Sequence, residues 1–298
     1  MRADFIHQFY YLWSVALLIP LWAFIIYKKK KSRIEMIYMG IIFGTGALGL
    51  DKYCSFYDYW RPPTILSSFN FESFLYGFIL GCISTKIFEL VFKKDYDPQR
   101  NANSFFVLAI VLISVLLHMT LLGLFRLNSV DIYVVIMVIW VIVFSLIKRR
   151  LFIVSIMSGL LMTVLNFCWY AVIVAAYPDA IQKIWLTQHL SGLSIFNVPI
   201  EEHYYIFALG CFGSILFKVA AGSNIKVRES SDHSLSNKSK QADGNADALK
   251  SGSYILNLLK VLKPYHLPLV FLLLVIGRMV MFGDARIPVG KIFHYIIP

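Results

Sequence analysis

Apolar stretches of about 20 residues recur from one end of this chain to the other, and that recurrence constrains its fold more than any other feature. A bilayer core of roughly 30 Å needs about 20 helical residues to cross it. Eight such runs stand out, at about 9–27, 34–50, 71–92, 104–125, 130–147, 151–176, 196–221 and 265–283. Inside lipid only helices and closed barrels satisfy the backbone. Barrel strands would alternate polar and apolar residues, and these runs do not. The expectation is an all-α, polytopic transmembrane bundle of about eight spans. The composition agrees: 58% of residues are hydrophobic and only 15% charged, against about a quarter charged in soluble domains.

Lys and Arg set the orientation. Lys28-Lys29-Lys30-Lys31 closes the first run, Lys93-Lys94 the third and Lys148-Arg149-Arg150 the fifth. With alternating spans these clusters fall on one side, together with the basic stretch after the seventh run. The positive-inside rule makes that side cytoplasmic and places both termini outside, in the cell membrane. The net charge of +11 is then explained by topology and anionic headgroups, with no call for nucleic acid. The basic cluster follows the first run and no small-residue cleavage site comes after it, so a cleaved signal peptide is not expected. Cys54, Cys82, Cys168 and Cys211 show no CxxC spacing, and neither a metal site nor a disulfide follows from them. Residues 223–252 are rich in Ser, Asn, Lys and Asp, and the composition predicts a flexible cytoplasmic linker in which His233 is solvated.

The chain repeats itself. "FNFESFLYGFILG" (69–81) opens the third run and "FNVPIEEHYYIFALG" (196–210) the seventh. Aligning Gly81 with Gly210 sets Glu72 on Glu201, Phe78 on Phe207 and Leu80 on Leu209. Runs one to three and five to seven would be parallel three-helix repeats, an arrangement that places sites between repeats, with run four as the linking helix. The expected divisions are 1–94, 95–127, 128–222, the linker 223–262 and an extra helix within 263–298. Carboxylates inside a membrane are expensive and usually functional; as mere helix-end charges, Glu201 and Glu202 would favour the N-terminal dipole, with Pro199 at a preferred start position. The loops before the third and seventh runs carry Asp51, Tyr57, Asp58 and Trp60, then Tyr170, Tyr177, Asp179, Trp185 and His189. Such aromatics belong to an interfacial belt, or to a cavity whose ring faces stabilise a cation.

Pro199, Glu201 and Glu202 form a P-x-E-E motif at the start of an apolar helix, which resembles the lycopene cyclase domain family of small membrane cyclases, found as two-subunit enzymes and as fused repeats. Tyr205 stands where the family often has Phe, and Asp51 with Trp60 looks like the family's upstream acidic residue and loop tryptophan. The first half departs from the pattern, with Asn70-Phe71-Glu72-Ser73 in place of P-x-E-E, and Asn166 stands where an Asp is expected. The resemblance implies a non-redox cyclase of a linear isoprenoid or carotenoid, without cofactor or metal. It implies Glu201, Glu202, Glu72 and Asp51 as catalytic candidates, and Trp60, Tyr57, Tyr170, Tyr205 and Pro199 against a lipophilic substrate that enters from membrane lipid. Such a chain is compatible with a homo-oligomer.

The chemistry gives the carboxyls a purpose. Closing a ring on a polyene needs a proton delivered, a carbocation shielded from water and a proton removed. Paired carboxyls in contrasting surroundings divide such acid and base roles. Adjacent helical residues point about 100° apart, so one glutamate of the pair faces inward. The register with Glu72 assigns that place, and the acid role, to Glu201; Glu202 becomes its neighbour and Asp51 a candidate base. Three other readings stay open. A prenyltransferase would need paired Asp-rich motifs, which Asp51, Asp58 and Asp179 do not make. A transporter or receptor-like protein would use Lys86, His118 and Arg278 as pathway residues, although Lys86 and Arg278 can also snorkel. A non-catalytic relative of the cyclase domain would share the same motifs.

Overall fold

The computed structural model describes residues 9–64, 70–93, 95–96, 103–125, 127–222 and 227–228. Among them, seven helices are long and apolar enough to cross a membrane: α1 (Tyr10–Lys28), α2 (Lys30–Leu50), α3 (Phe71–Val91), α4 (Ser104–Leu124), α5 (Ser129–Ile147), α6 (Arg150–Ala176) and α7 (Ile200–Ala220). This is a helical membrane protein. The eighth run, at 265–283, and nearly all of the 223–262 linker lie outside the described residues. Val227–Arg228 of that linker pairs antiparallel with Asp95–Tyr96, after α3.

Local chemistry sets the boundaries. Pro20 breaks α1 into Tyr10–Ala16 and Ile19–Lys28, since proline removes a helical donor and crowds the preceding turn. The seventh helix begins at Ile200, not 196. Residues 194–199 form a tight hairpin instead, Ser194–Ile195 against Val198–Pro199. Phe196 and Asn197 turn it with φ of 52° and 62°, the left-handed pair of a two-residue hairpin. Pro199 then caps α7.

Two helix pairs carry the architecture, and they are built alike. In α2 against α3, a Cβ on Gly40 would stand 2.7 Å from Cys82 Sγ, and one on Gly81 would stand 2.8 Å from Phe43 Cβ; Cys82 Sγ also lies 3.1 Å from Met36 O. In α6 against α7, a Cβ on Gly159 would stand 2.5 Å from Cys211 Sγ, and one on Gly210 would stand 2.8 Å from Met162 Cβ; Ser155 Oγ donates to Cys211 O at 3.0 Å. Positions 36, 40 and 43 of the first pair keep the spacing of 155, 159 and 162 in the second. Small residues permit this close approach, which in lipid replaces the hydrophobic effect as the packing device.

Between the pairs, α3 and α7 lie side by side and parallel. Near their starts Tyr76 OH reaches Glu202 Oε1 at 3.3 Å; near their ends Lys218 Nζ meets Glu89 Oε1 at 3.0 Å. Midway, a Cβ on Gly213 would fall 2.3 Å from Ser84 Oγ. In the register that sets Gly81 on Gly210, Ser84 falls on Gly213 and Glu89 on Lys218. Contact between such counterparts is what a two-fold axis running along the helix pair produces. α4 sits at the edge, held to α5 by Trp140 Nε1 donating to Ser114 Oγ at 2.8 Å and by His118 stacked on Tyr133 at 4.7 Å.

Candidate functional site

At the N-terminal ends of α3 and α7 the two halves meet through their loops. Trp60 and Trp185 face each other across a backbone bridge. Arg61 N donates to Ile184 O at 2.7 Å and Leu186 N to Tyr59 O at 2.9 Å. The indoles stack obliquely at 5.8 Å, and Trp60 also takes the edge of Tyr11 at 4.8 Å. Below them Tyr76 stacks on Trp169 at 5.5 Å. A dense aromatic wall results, buried from solvent.

Glu202 stands in this wall. Its carboxyl accepts from the hydroxyls of Tyr59 and Tyr76, and Tyr170 reaches it as a third donor. Asp51 faces the same cluster. It accepts from Trp60 Nε1 at 3.3 Å and from the hydroxyls of Ser73, Ser55 and Tyr11. Tyr11 OH also lies 3.1 Å from Ser73 Oγ. The contacts of Asp51 with Ser73 and of Tyr170 with Glu202 are counterparts. The spacing that carries Gly40 to Gly159 carries 51 to 170, and the register of Glu89 on Lys218 carries 73 to 202. Acid and hydroxyl have exchanged places between the halves.

The register assigns the inward place to Glu201; both glutamates are buried, and it is Glu202 that meets the tyrosine hydroxyls. One helical position turns the side chain by about 100°, and Glu201 Oε1 instead accepts from Ser191 N at 2.7 Å in the loop before α7. Glu201 and Glu72 are both buried in the first turns of their helices, and Glu72 lies within electrostatic reach of Tyr11. Tyr170, Tyr205 and Trp60 join the cluster, with Tyr205 within electrostatic reach of both Asp51 and Glu202. Tyr57 does not: it is 44% exposed, because the short helix Phe56–Asp58 turns it outward. Pro199 shapes the hairpin and the start of α7. Lys86, considered above as a pathway residue, is saturated by Glu35 and Glu89.

Tyr59 and Tyr76 were not anticipated as ligands of the carboxyl. Tyr76 left a signal, since it aligns with Tyr205 in the paired segments; Tyr59 left none, because its position depends on the bridge between the loops. A second unforeseen element is Asp58, which accepts from Ser129 N at 2.7 Å and Ser129 Oγ at 2.6 Å and so caps α5 from the first loop. Asp131 in the same turn accepts from Tyr204 OH, tying α5 to α7.

Burial, the larger effect, pushes Asp51 up from 3.8 to about 6 even though its hydrogen bonds pull the other way. Burial likewise raises Asp58 to about 7, with the charge of Asp131 adding and the Ser129 contacts opposing. Both groups therefore bind a proton more tightly folded than unfolded. The stability this contributes is complete below the ordinary value and is lost as pH rises through the folded values. Thermal melts in detergent should show Tm falling between about pH 4 and 7, and Asp58→Asn should flatten the upper part of that fall. A profile that rises over this window would contradict the burial of these carboxyls.

Residues 128–220 match the family model described as lycopene cyclase. Over this stretch the chain is similar to the lycopene cyclase family. The matched stretch runs from just before α5 to the end of α7, and so holds Tyr170, Trp185, Glu201, Glu202 and Tyr205, while Asp51, Tyr59, Trp60 and Tyr76 reach it from the first half. No curated protein and no solved structure matches the chain.

Proposed function

We propose that the protein is a membrane-embedded, non-redox cyclase of a linear isoprenoid or carotenoid, working by protonation. The observation that carries this reading is Glu202: a buried carboxyl met by three tyrosine hydroxyls, beside Asp51, within an aromatic wall, in the stretch similar to the lycopene cyclase family. Asp51, held at about 6, retains a proton in a usable fraction of molecules and is the donor to a terminal alkene carbon. The carbocation so formed is attacked by a second double bond of the polyene, which closes the ring. Faces of Trp60, Trp169 and Tyr76 stabilise the cation, an effect of about 2 kcal/mol or more for a desolvated ring. Loss of a proton from the carbon next to the cation leaves a ring alkene and no net redox change. Glu202, with hydroxyl donors converging on its oxygens, is the acceptor of that proton. Glu201 and Glu72 are kept as buried supports of the loops and helix starts.

The same reading takes α1–α3 and α5–α7 as parallel three-helix repeats joined by α4. The matched glycine seams and the counterpart contacts of α3 and α7 support it. Both termini face outward in the cell membrane, the basic helix ends face the cytoplasm, and a lipophilic substrate enters sideways from lipid.

The test is expression of the chain in cells that accumulate a linear polyene, followed by pigment extraction. A ring-containing isomer of unchanged mass is expected. An unchanged polyene, in membranes shown to hold the folded protein, would reject the cyclase.

A further inference from the structure

At the end of α3 and α7 opposite the aromatic wall lie four buried charges. Lys86 Nζ pairs with Glu35 Oε2 at 2.6 Å and with Glu89 Oε1 at 3.0 Å. Lys218 Nζ pairs with Glu89 Oε1 at 3.0 Å and donates to Ser214 O at 2.8 Å. Lys29 Nζ adds a bond to Glu89 O at 3.1 Å. Glu35, Lys86, Glu89 and Lys218 are each 5% exposed or less. Two cations balance two carboxylates, as desolvated charges require.

The arrangement is lopsided in an informative way. Glu89 and Lys218 are counterparts in the register of the two halves, yet they carry opposite charges. The counterparts of Glu35 and Lys86 in the second half are Val154 and Ile215, both buried and apolar. Two copies of the first half packed on each other would bury four carboxylates against two lysines. Two copies of the second half would bury two lysines with no carboxylate. Only first half against second half is neutral.

We infer that this ion cluster is the determinant that makes the α3 face of the first half accept the α7 face of the second half and reject a second copy of itself. Buried ion pairs are best attested as devices of register and partner choice, and like-charge juxtaposition is a common means of excluding wrong partners. The inference rests on the repeat proposed above, and not on the cyclase chemistry.

The full-length chain tests it by charge reversal. Glu89→Lys leaves three cations on Glu35; Lys218→Glu leaves three carboxylates on Lys86; the double variant E89K/K218E is neutral again. Each single reversal should lower Tm in detergent by about 10 °C or more, and the double should recover most of the loss. Single variants that melt with the wild type, or a double no more stable than the weaker single, would overturn the inference. A separate disulfide reports the pairing itself. A Cβ on Gly213 stands 3.0 Å from Ser84 Cβ, within a small adjustment of the roughly 3.8 Å of a disulfide. In a chain whose native cysteines are Ala, S84C/G213C should oxidise to a faster-migrating form. If it does not, the parallel pairing fails and the inference with it. If it does while the reversals stay uncoupled, the inference alone fails.

Discussion

Glu202→Gln is expected to insert and fold like the wild type and to lose about 10²–10⁴ of its turnover, the range that a positioned acid or base supplies. Gln keeps the volume of the side chain but cannot exchange a proton, and its amide nitrogen would face hydroxyls that now converge as donors. Asp51→Asn should cost a comparable factor, because both proton transfers are needed for one ring closure. Glu201→Gln should cost much less, since that carboxyl accepts a backbone N–H from Ser191 in the loop before α7. Product formation from a linear polyene by membranes holding each variant decides among them. Wild-type turnover by Glu202→Gln would remove this residue from the chemistry. A collapse with Glu201→Gln and none with Glu202→Gln would return the assignment to the residue favoured by the register alone.

That contrast shows where sequence reasoning reaches and where it stops. The spans were legible because about 20 apolar residues in a row leave few alternatives in water or in lipid. The likeness of the segments that open α3 and α7 was legible too, and in the register that sets Gly81 on Gly210 the contacts of Ser84 with Gly213 and of Glu89 with Lys218 join aligned positions. The choice between two adjacent glutamates was not. It depends on the phase at which α7 starts, and that phase is set by a hairpin at 194–199 that hydropathy merges into the span. Tyr59 was hidden for another reason: it is placed by the bridge of Trp60 with Trp185 between loops more than a hundred residues apart, and no local pattern encodes it. The ion cluster draws its members from α2, α3 and α7, so each charge viewed alone looks like an isolated cost.

The largest effect on folding is expected at the glycine seams. A Cβ on Gly77 would stand 2.5 Å from Phe43 O and 2.7 Å from Ala47 Cβ. The first of these is a backbone atom and cannot rotate away, so α2 and α3 would have to separate. At Gly159 a Cβ would meet Cys211 Sγ at 2.5 Å and Phe207 O at 2.8 Å. Intrinsic propensity argues the other way, since Ala is favoured over Gly in a helix by about 0.8–1.0 kcal/mol. Overpacking costs typically 1–3 kcal/mol and occasionally more, and steric contact with a rigid carbonyl belongs at the high end, so packing wins. Gly77→Ala and Gly159→Ala should therefore destabilise, and the corresponding Leu variants should leave little monodisperse protein after extraction. Gly46, on α2, supplies the control, because a Cβ there meets nothing within 4 Å; Gly46→Ala should be neutral or slightly stabilising. Thermal unfolding in detergent, with size-exclusion profiles of the Leu variants, measures both signs. If Gly77→Leu melted with the wild type, α2 and α3 would not be packed through that glycine. The counterpart contacts between α3 and α7 would then lose the rigid pairs that hold them in register.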